Sequence, residues 1–321
     1  MASPPRRSRR LCRALLAALV VASVAVPVSG AVRPAGVPAP APTVPGPLPA
    51  ATPGALVERW AATRADIAAA ARMADGHGDG RRADALRVLA DPARHFISFD
   101  GRDGGRTVEV FGDLARADRI AVLVPGAGIS VDNYWRLKGG AQALRRELGD
   151  RSAVVAWLGY ETPATVSLTA ATSGRADDAA PELSDFLRKL KGAKPAARTS
   201  LLCHSYGSVV CARAAAGAEV ADIVLYGSPG VGFDDVAAMH TRAAVWAGRG
   251  GTDWIADVPH VRLELPTVEV GFGADPVSEG FGAHTFDAGS GGHSDYLKPG
   301  SVPLKNIARI VDGRTPDTPR A

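Results

Sequence analysis

Residues 199–216, reading TSLLCHSYGSVVCARAAA, constrain this chain more than any other stretch. The apolar run 200–203 reads as a buried strand, and an Ala-rich helix starts near Tyr206. Between them, His204-Ser205-Tyr206-Gly207 makes a sharp turn with Ser205 at its centre. Strand, tight turn and helix together lift the Ser hydroxyl above one edge of a sheet, the arrangement of a nucleophile elbow. The helix N-terminus points at the same place, and its free N–H groups and partial positive charge suit an oxyanion. The usual pattern is Gly-x-Ser-x-Gly. Gly207 supplies the second Gly, and Cys203 stands in place of the first. Small residues are needed there because strand and helix pass close together, and Cys is small enough. The plain alternative is a Ser in an ordinary strand-to-helix loop, so the rest of the chain has to supply its partners.

The remaining pattern alternates in the same way. Helical periodicity covers residues 56–73 and 81–89, with a break at 75–80. Residues 95–99 and 107–111 read as an antiparallel strand pair across a Gly-rich turn. Strand 119–124, helix 135–148, strand 153–157 and helix 182–190 lead to the elbow. Strands at 222–226, 243–246 and 284–287 and a helix at 304–311 follow it. Apolar strands alternating with helices imply a mostly parallel central sheet covered by helices on both faces. No internal repeat is present.

Acyl transfer by Ser needs a base, a carboxylate to orient that base, and donors for an oxyanion. His293 is the expected base, because it follows the last strand in a Gly-rich loop that lets its ring reach across the sheet top. His204 adjoins Ser205 but should point away and pack. Asp253, in the loop after strand 243–246, is the expected acid, and the order Ser205, Asp253, His293 suits a strand-to-helix elbow. Asp275, in the turn Gly273-Ala274-Asp275-Pro276, is the alternative acid. The oxyanion donors should be the backbone N–H groups of Tyr206 and of Ala127, which lies between Gly126 and Gly128.

Five stretches resemble the actinobacterial secreted α/β-hydrolase family long catalogued as a domain of unknown function. They are VLVPGAGISVDNYW (122–135), WLGY (157–160), CHSYGS (203–208), YGSPG (226–230) and GHSDYL (292–297), within a likeness covering residues 90–297. The resemblance implies an α/β-hydrolase fold with Ser205 as nucleophile and His293 as base; it implies no substrate. Only residues 231–242 separate the strands at the usual cap position, so no large cap domain is expected. Insertions 161–180 and 255–282 are long enough for modest lids. Tyr134, Trp135, Tyr160, Tyr206, Phe233 and Trp254 either line an apolar cleft or belong to the core.

The N-terminus carries Arg6, Arg7, Arg9, Arg10 and Arg13, then an apolar run 14–28 and the small residues Ser29, Gly30 and Ala31. This is the layout of a cleaved secretory signal over residues 1–31, or of an anchor if it is not cleaved. The Pro/Ala-rich segment 32–54 reads as a tether, and 55–315 as the α/β-hydrolase domain. The formal net charge of +4 becomes −1 once the five signal arginines are set aside, which removes any electrostatic case for nucleic-acid binding. In an exported chain Cys203 and Cys211 face each other across elbow strand and helix. They are expected to form a disulfide, two buried thiols being the alternative.

No His, Asp or Cys spacing suits a metal, and no phosphate-binding Gly-rich loop with a following Lys is present, so no cofactor is expected. The expected activity is that of an exported serine hydrolase acting on small-molecule or lipid carboxylic esters, with transient membrane or cell-envelope contact. A peptidase or envelope acyltransferase with the same triad is one alternative. A non-catalytic binding protein on the same scaffold is another.

Overall fold

In a computed structural model, residues 38–43, 48, 50–165, 167–264 and 269–319 are described. Their framework is an eight-stranded sheet built from β1 (Phe96–Asp100), β2 (Arg106–Gly112), β3 (Arg119–Val124), β4 (Ser152–Leu158), β5 (Arg198–His204), β6 (Asp222–Tyr226), β7 (Ala244–Gly248) and β10 (His284–Thr285). The spatial order is β1-β2-β4-β3-β5-β6-β7-β10. β1–β2 and β2–β4 pair antiparallel and all later pairs are parallel. A separate hairpin joins β8 (Leu263–Glu264) to β9 (Glu269–Val270).

The central strands are apolar throughout because both faces are covered. On β3, Ile120, Val122 and Val124 enter one core while Ala121 and Leu123 enter the other. Leu201 and Cys203 against Leu202 on β5, and Ile223 and Leu225 against Val224 on β6, repeat that division. One core takes α4 (Gly174–Ala193) and α5 (Gly207–Ala214). The other takes α2 (Gly80–Leu89), α3 (Trp135–Leu148) and α6 (Val302–Val311), with most of the buried face of α1 (Pro53–Gly76).

From β3 the chain moves one way to β4 and then returns past β3 to β5. The loops after β3 and β5 therefore part at a topological switch point, the place where α/β sheets bind ligands. The loop after β3 is residues 125–130, and that after β5 is the Ser205 turn. Residues 227–243 between β6 and β7 hold a single one-turn helix, Ala237–Met239, so the fold carries no large cap.

Several elements extend beyond their expected limits. α4 begins at Gly174, not 182, and continues through Pro181. A Pro inside a helix removes a hydrogen bond and reads as a breaker. Here burial of Ala176, Ala179, Ala180, Leu183 and Leu187 keeps the helix continuous. The first insertion is shortened accordingly, and it meets the second where Thr172 bridges Val270.

The described part of the 32–54 segment lies against the domain. Thr43 donates its N–H and hydroxyl to Asp66 of α1. Leu48 and Ala51 pack on one core and Ala39 on the other. Thr52 caps α1, which starts at Pro53. Pro and Ala suppress regular structure without preventing apolar contact, so a composition that reads as tether is partly docked. The signal-like stretch 1–31 lies outside the described residues. Among the described residues no helix is long and apolar enough to cross a membrane.

Candidate active site

The elbow is built by close packing. Ser205 has φ +53°, a left-handed conformation that few non-Gly residues adopt. Strain of this kind costs about 1–3 kcal/mol and is held by surrounding structure at functional sites. The Ser205 N–H donates to the Tyr226 carbonyl of β6 at 3.1 Å, and Ser208 N–H caps the turn onto Ser205 O at 2.9 Å. A Cβ on Gly207 would lie 2.6 Å from Pro125 O and 2.7 Å from Val124 O, so α5 can start there only with Gly. A Cβ on Gly126 would lie 2.6 Å from the Ser205 Cβ. Cys203 needs no such clearance, because its side chain turns into the core beneath the elbow. There it is bonded to Cys211 of α5, with a Cα–Cα distance of 6.4 Å. The expected disulfide is present and joins strand to helix on either side of Ser205.

The structure brings Ser205, His293 and Asp253 together. His293 Nε2 lies 2.9 Å from Ser205 Oγ. Its Nδ1 lies 2.9 Å from Asp253 Oδ1 and 3.1 Å from Oδ2. A carboxylate only accepts, so Nδ1 carries the proton and Nε2 is left to accept from the Ser hydroxyl. Asp253 is buried. Burial alone would raise its pKa, but hydrogen bonds from His293, Tyr296 and the Ile255 N–H outweigh that and hold the carboxyl below its usual value. Asp275 is not on His293. It pairs with Arg249 at 2.6 Å and lies 3.4 Å from His260, tying the second insertion to the end of β7.

The N–H groups of Ala127 and Tyr206 donate to no other described group. Both flank Ser205: Tyr206 follows it, and Ala127 follows the Gly126 that touches it. The loop carrying Ala127 is braced at several points. The Tyr160 hydroxyl donates to Pro125 O at 2.6 Å, Gly128 N–H to Pro163 O at 2.8 Å, and Asn133 Nδ2 to Gly128 O at 2.8 Å.

The aromatic residues divide differently from the cleft expectation. Tyr134 and Tyr160 are buried in the cores. The Tyr206 side chain is also buried, and its hydroxyl, with a pKa pushed up to about 12 by burial, donates to Thr172 O ahead of α4. Trp135 and Trp254 are the exposed ones, at 71% and 50%. Trp254 leans over His293 with ring centroids 4.7 Å apart. A cavity of 790 Å³ between Gly248, Arg249, Phe286, Asp287 and Val302 is not lined by Ser205, Asp253 or His293.

Two participants were not read from sequence. His204 points away from Ser205 as expected, yet its Nε2 lies 2.8 Å from the His293 carbonyl, so that nitrogen bears hydrogen and holds the His293 loop. Burial, followed by the neighbouring His293, lowers its pKa to about 4, which keeps it neutral. Tyr296 donates to Asp253 Oδ2 at 2.5 Å. Its spacing from His293 in GHSDYL was the available signal, but contacts across loops from separate strands do not appear in a linear pattern.

A family model described as Alpha/beta hydrolase matches residues 100–263, about half of the chain. An uncharacterized protein of Mycobacterium tuberculosis is 32% identical over a 177-residue alignment that covers 48% of this chain and 66% of that protein, just under two thirds of its length. A second from the same species is 29% identical over 213 residues, covering 57% of this chain and 32% of its own length. Among solved structures, an α/β serine hydrolase without lid from Xanthomonas campestris is similar with a TM-score of 0.43 and 18% identity, covering 68% of this chain and 94% of its own. Esterase PE8 has a TM-score of 0.43 and 16% identity, with coverages of 64% and 96%. With the family model spanning β2 to β7, the loop after β3, the Ser205 elbow and the Asp253 loop, the chain belongs to the alpha/beta hydrolase family.

Proposed function

We propose that this protein is an exported serine hydrolase that cleaves carboxylic esters through an acyl-enzyme on Ser205. The observation that carries the reading is the hydrogen-bonded line from Ser205 Oγ through the His293 ring to Asp253. In the reaction, Ser205 Oγ attacks the ester carbonyl while its proton passes to His293 Nε2. Ala127 and Tyr206 N–H groups receive the oxyanion. As the tetrahedral adduct collapses, the alkoxide leaves with the proton from His293. Water then repeats the sequence and frees the acid. Asp253 stays ionised and stabilises the imidazolium.

Export of the domain behind a signal at 1–31 is supported by the charge and apolar layout of that stretch and by the disulfide, which suits an oxidising compartment. The half-exposed Trp254 beside the base favours water as acceptor over a sequestered acyl acceptor. The exposed Trp254 ring beside His293 suits apolar acyl groups, lipid esters among them, presented at a membrane or cell envelope.

Labelling with a fluorophosphonate probe, located by peptide mass, tests the proposal. Modification of Ser205 in the wild type, absent in Ser205→Ala, is expected. A folded wild-type protein that remains unlabelled would remove the reading.

A further inference from the structure

The Asp253 carboxylate has a side-chain partner that the triad does not use. Oδ1 accepts from His293 Nδ1 and from the Ile255 N–H at 2.9 Å. Oδ2 accepts from the Tyr296 hydroxyl at 2.5 Å, and that same oxygen of Tyr296 accepts the Gly250 N–H at 3.0 Å. We infer that Tyr296 is a positioning residue for the reaction. It fixes the orientation of Asp253 and shares the charge of the carboxylate, so that acid, base and β7 loop form one rigid unit. The inference rests on the Ser205 hydrolase reading.

The local geometry is built for this contact. Asp295 Oδ2 accepts the Gly292 N–H at 3.0 Å, and the Asp295 N–H returns to Gly292 O at 3.0 Å. That turn brings His293 and Tyr296, three residues apart, onto the same carboxylate. The Tyr296 ring is buried and packs on Tyr226 and His204 at centroid distances of 5.3 and 5.9 Å. Gly227, at φ +58°, leaves room for the junction. A Cβ there would lie 3.0 Å from Asp253 Oδ2, 3.0 Å from Tyr296 Cε2 and 3.2 Å from His293 Nδ1. Packing needs only the ring, and a Phe would fill the same space. The hydroxyl is spent entirely on Asp253 and Gly250.

The titratable and charged groups around Tyr296 are Asp253 and Arg249 from the β7 side, His293 on its own loop, His204 at the end of β5 and Tyr226 of β6. Only Asp253 is hydrogen-bonded to the phenol by a side chain. A carboxylate that accepts a phenol O–H is a weaker acceptor toward imidazolium. Removing the hydroxyl therefore has two separable effects. Asp253 loses an orienting bond, which slows turnover. Its charge is less shared, which favours protonated His293 and moves the acid limb of the rate profile to higher pH.

The test uses the full disulfide-bonded protein with p-nitrophenyl acetate as probe. Tyr296→Phe is expected to lower kcat about tenfold, with KM nearly unchanged. It should also shift the acid limb of kcat/KM upward. Fluorotyrosine at position 296 keeps ring and hydroxyl but donates more strongly, and should shift that limb downward. It decides the matter alone if the Phe variant does not fold. In an Asp253→Asn background the Phe substitution should have little further effect. An unmoved acid limb with kcat within about twofold of wild type, or full multiplicativity with Asp253→Asn, would overturn the inference. Fluorophosphonate labelling separates the two levels. Unlabelled wild type sinks the hydrolase reading and this inference with it. Normal labelling in both proteins with identical pH profiles sinks only the role of Tyr296.

Discussion

Asp253 and Asp275 are chemically the same and sit in similar loops, yet their surroundings give them different work. Asp253 is buried with donors on both oxygens, whereas Asp275 is neutralised by Arg249. Asp253→Asn is accordingly expected to cut kcat by about 10³–10⁴-fold through loss of the correct imidazole tautomer. Asp275→Asn should leave kcat within about twofold, as steady-state kinetics on the pair will show. His204 supports a separate expectation about stability. Its folded-state pKa lies near 4, below the ordinary value of 6.5, so between those values the unfolded chain binds a proton that the native protein does not. Stability therefore falls as pH drops from 6.5 toward 4, by about 2 kcal/mol from this residue after allowing for its partial exposure. His204→Gln should flatten that part of the curve, measured as urea midpoints at neutral and mildly acid pH.

At the scale of elements, the strand-to-helix junction depends on a Gly at its top and a disulfide beneath it. Gly207→Ala sets a Cβ against backbone oxygens of Val124 and Pro125 that cannot swing away. A loss of about 1–3 kcal/mol is expected from such overpacking, together with lower activity because Ser205 and the Ala127 loop are pushed apart. Replacing Cys203 and Cys211 together by Ala opens a short closed loop and should cost about 2–3 kcal/mol. Thermal unfolding of the two variants against wild type measures both. The alternation of strands and helices was legible from the apolar runs, and so was the elbow, because each rests on local pattern. The start of α4 was not, since Pro181 reads as a breaker until the buried Ala and Leu residues on either side of it are seen packed.

For the whole molecule, the N-terminal Pro/Ala-rich segment contributes more than length. A protein beginning at residue 55 loses the Thr52 cap, the Thr43–Asp66 hydrogen bonds and the packing of Leu48 and Ala51. Loss of the cap alone is worth about 1 kcal/mol, or about 2–4 °C in Tm for a chain of this size. A protein beginning at residue 38 should melt like the longer chain, and calorimetry of the two distinguishes docking from tethering. Taken by itself, the sequence determined the class of fold, the elbow that carries Ser205 and the pair of cysteines beside it, because periodicity and turn chemistry are properties of neighbours along the chain. Tertiary structure alone decided that Asp253 rather than Asp275 meets His293, that Tyr134 and Tyr160 are core while Trp254 borders His293, and that His204 and Tyr296 hold the His293 and Asp253 loops. Those choices depend on which loops the β3–β5 switch and the parallel order of β5, β6, β7 and β10 bring to one edge of the sheet, and on which charges find partners there. Such contacts join residues that are tens of positions apart, and no local pattern records them.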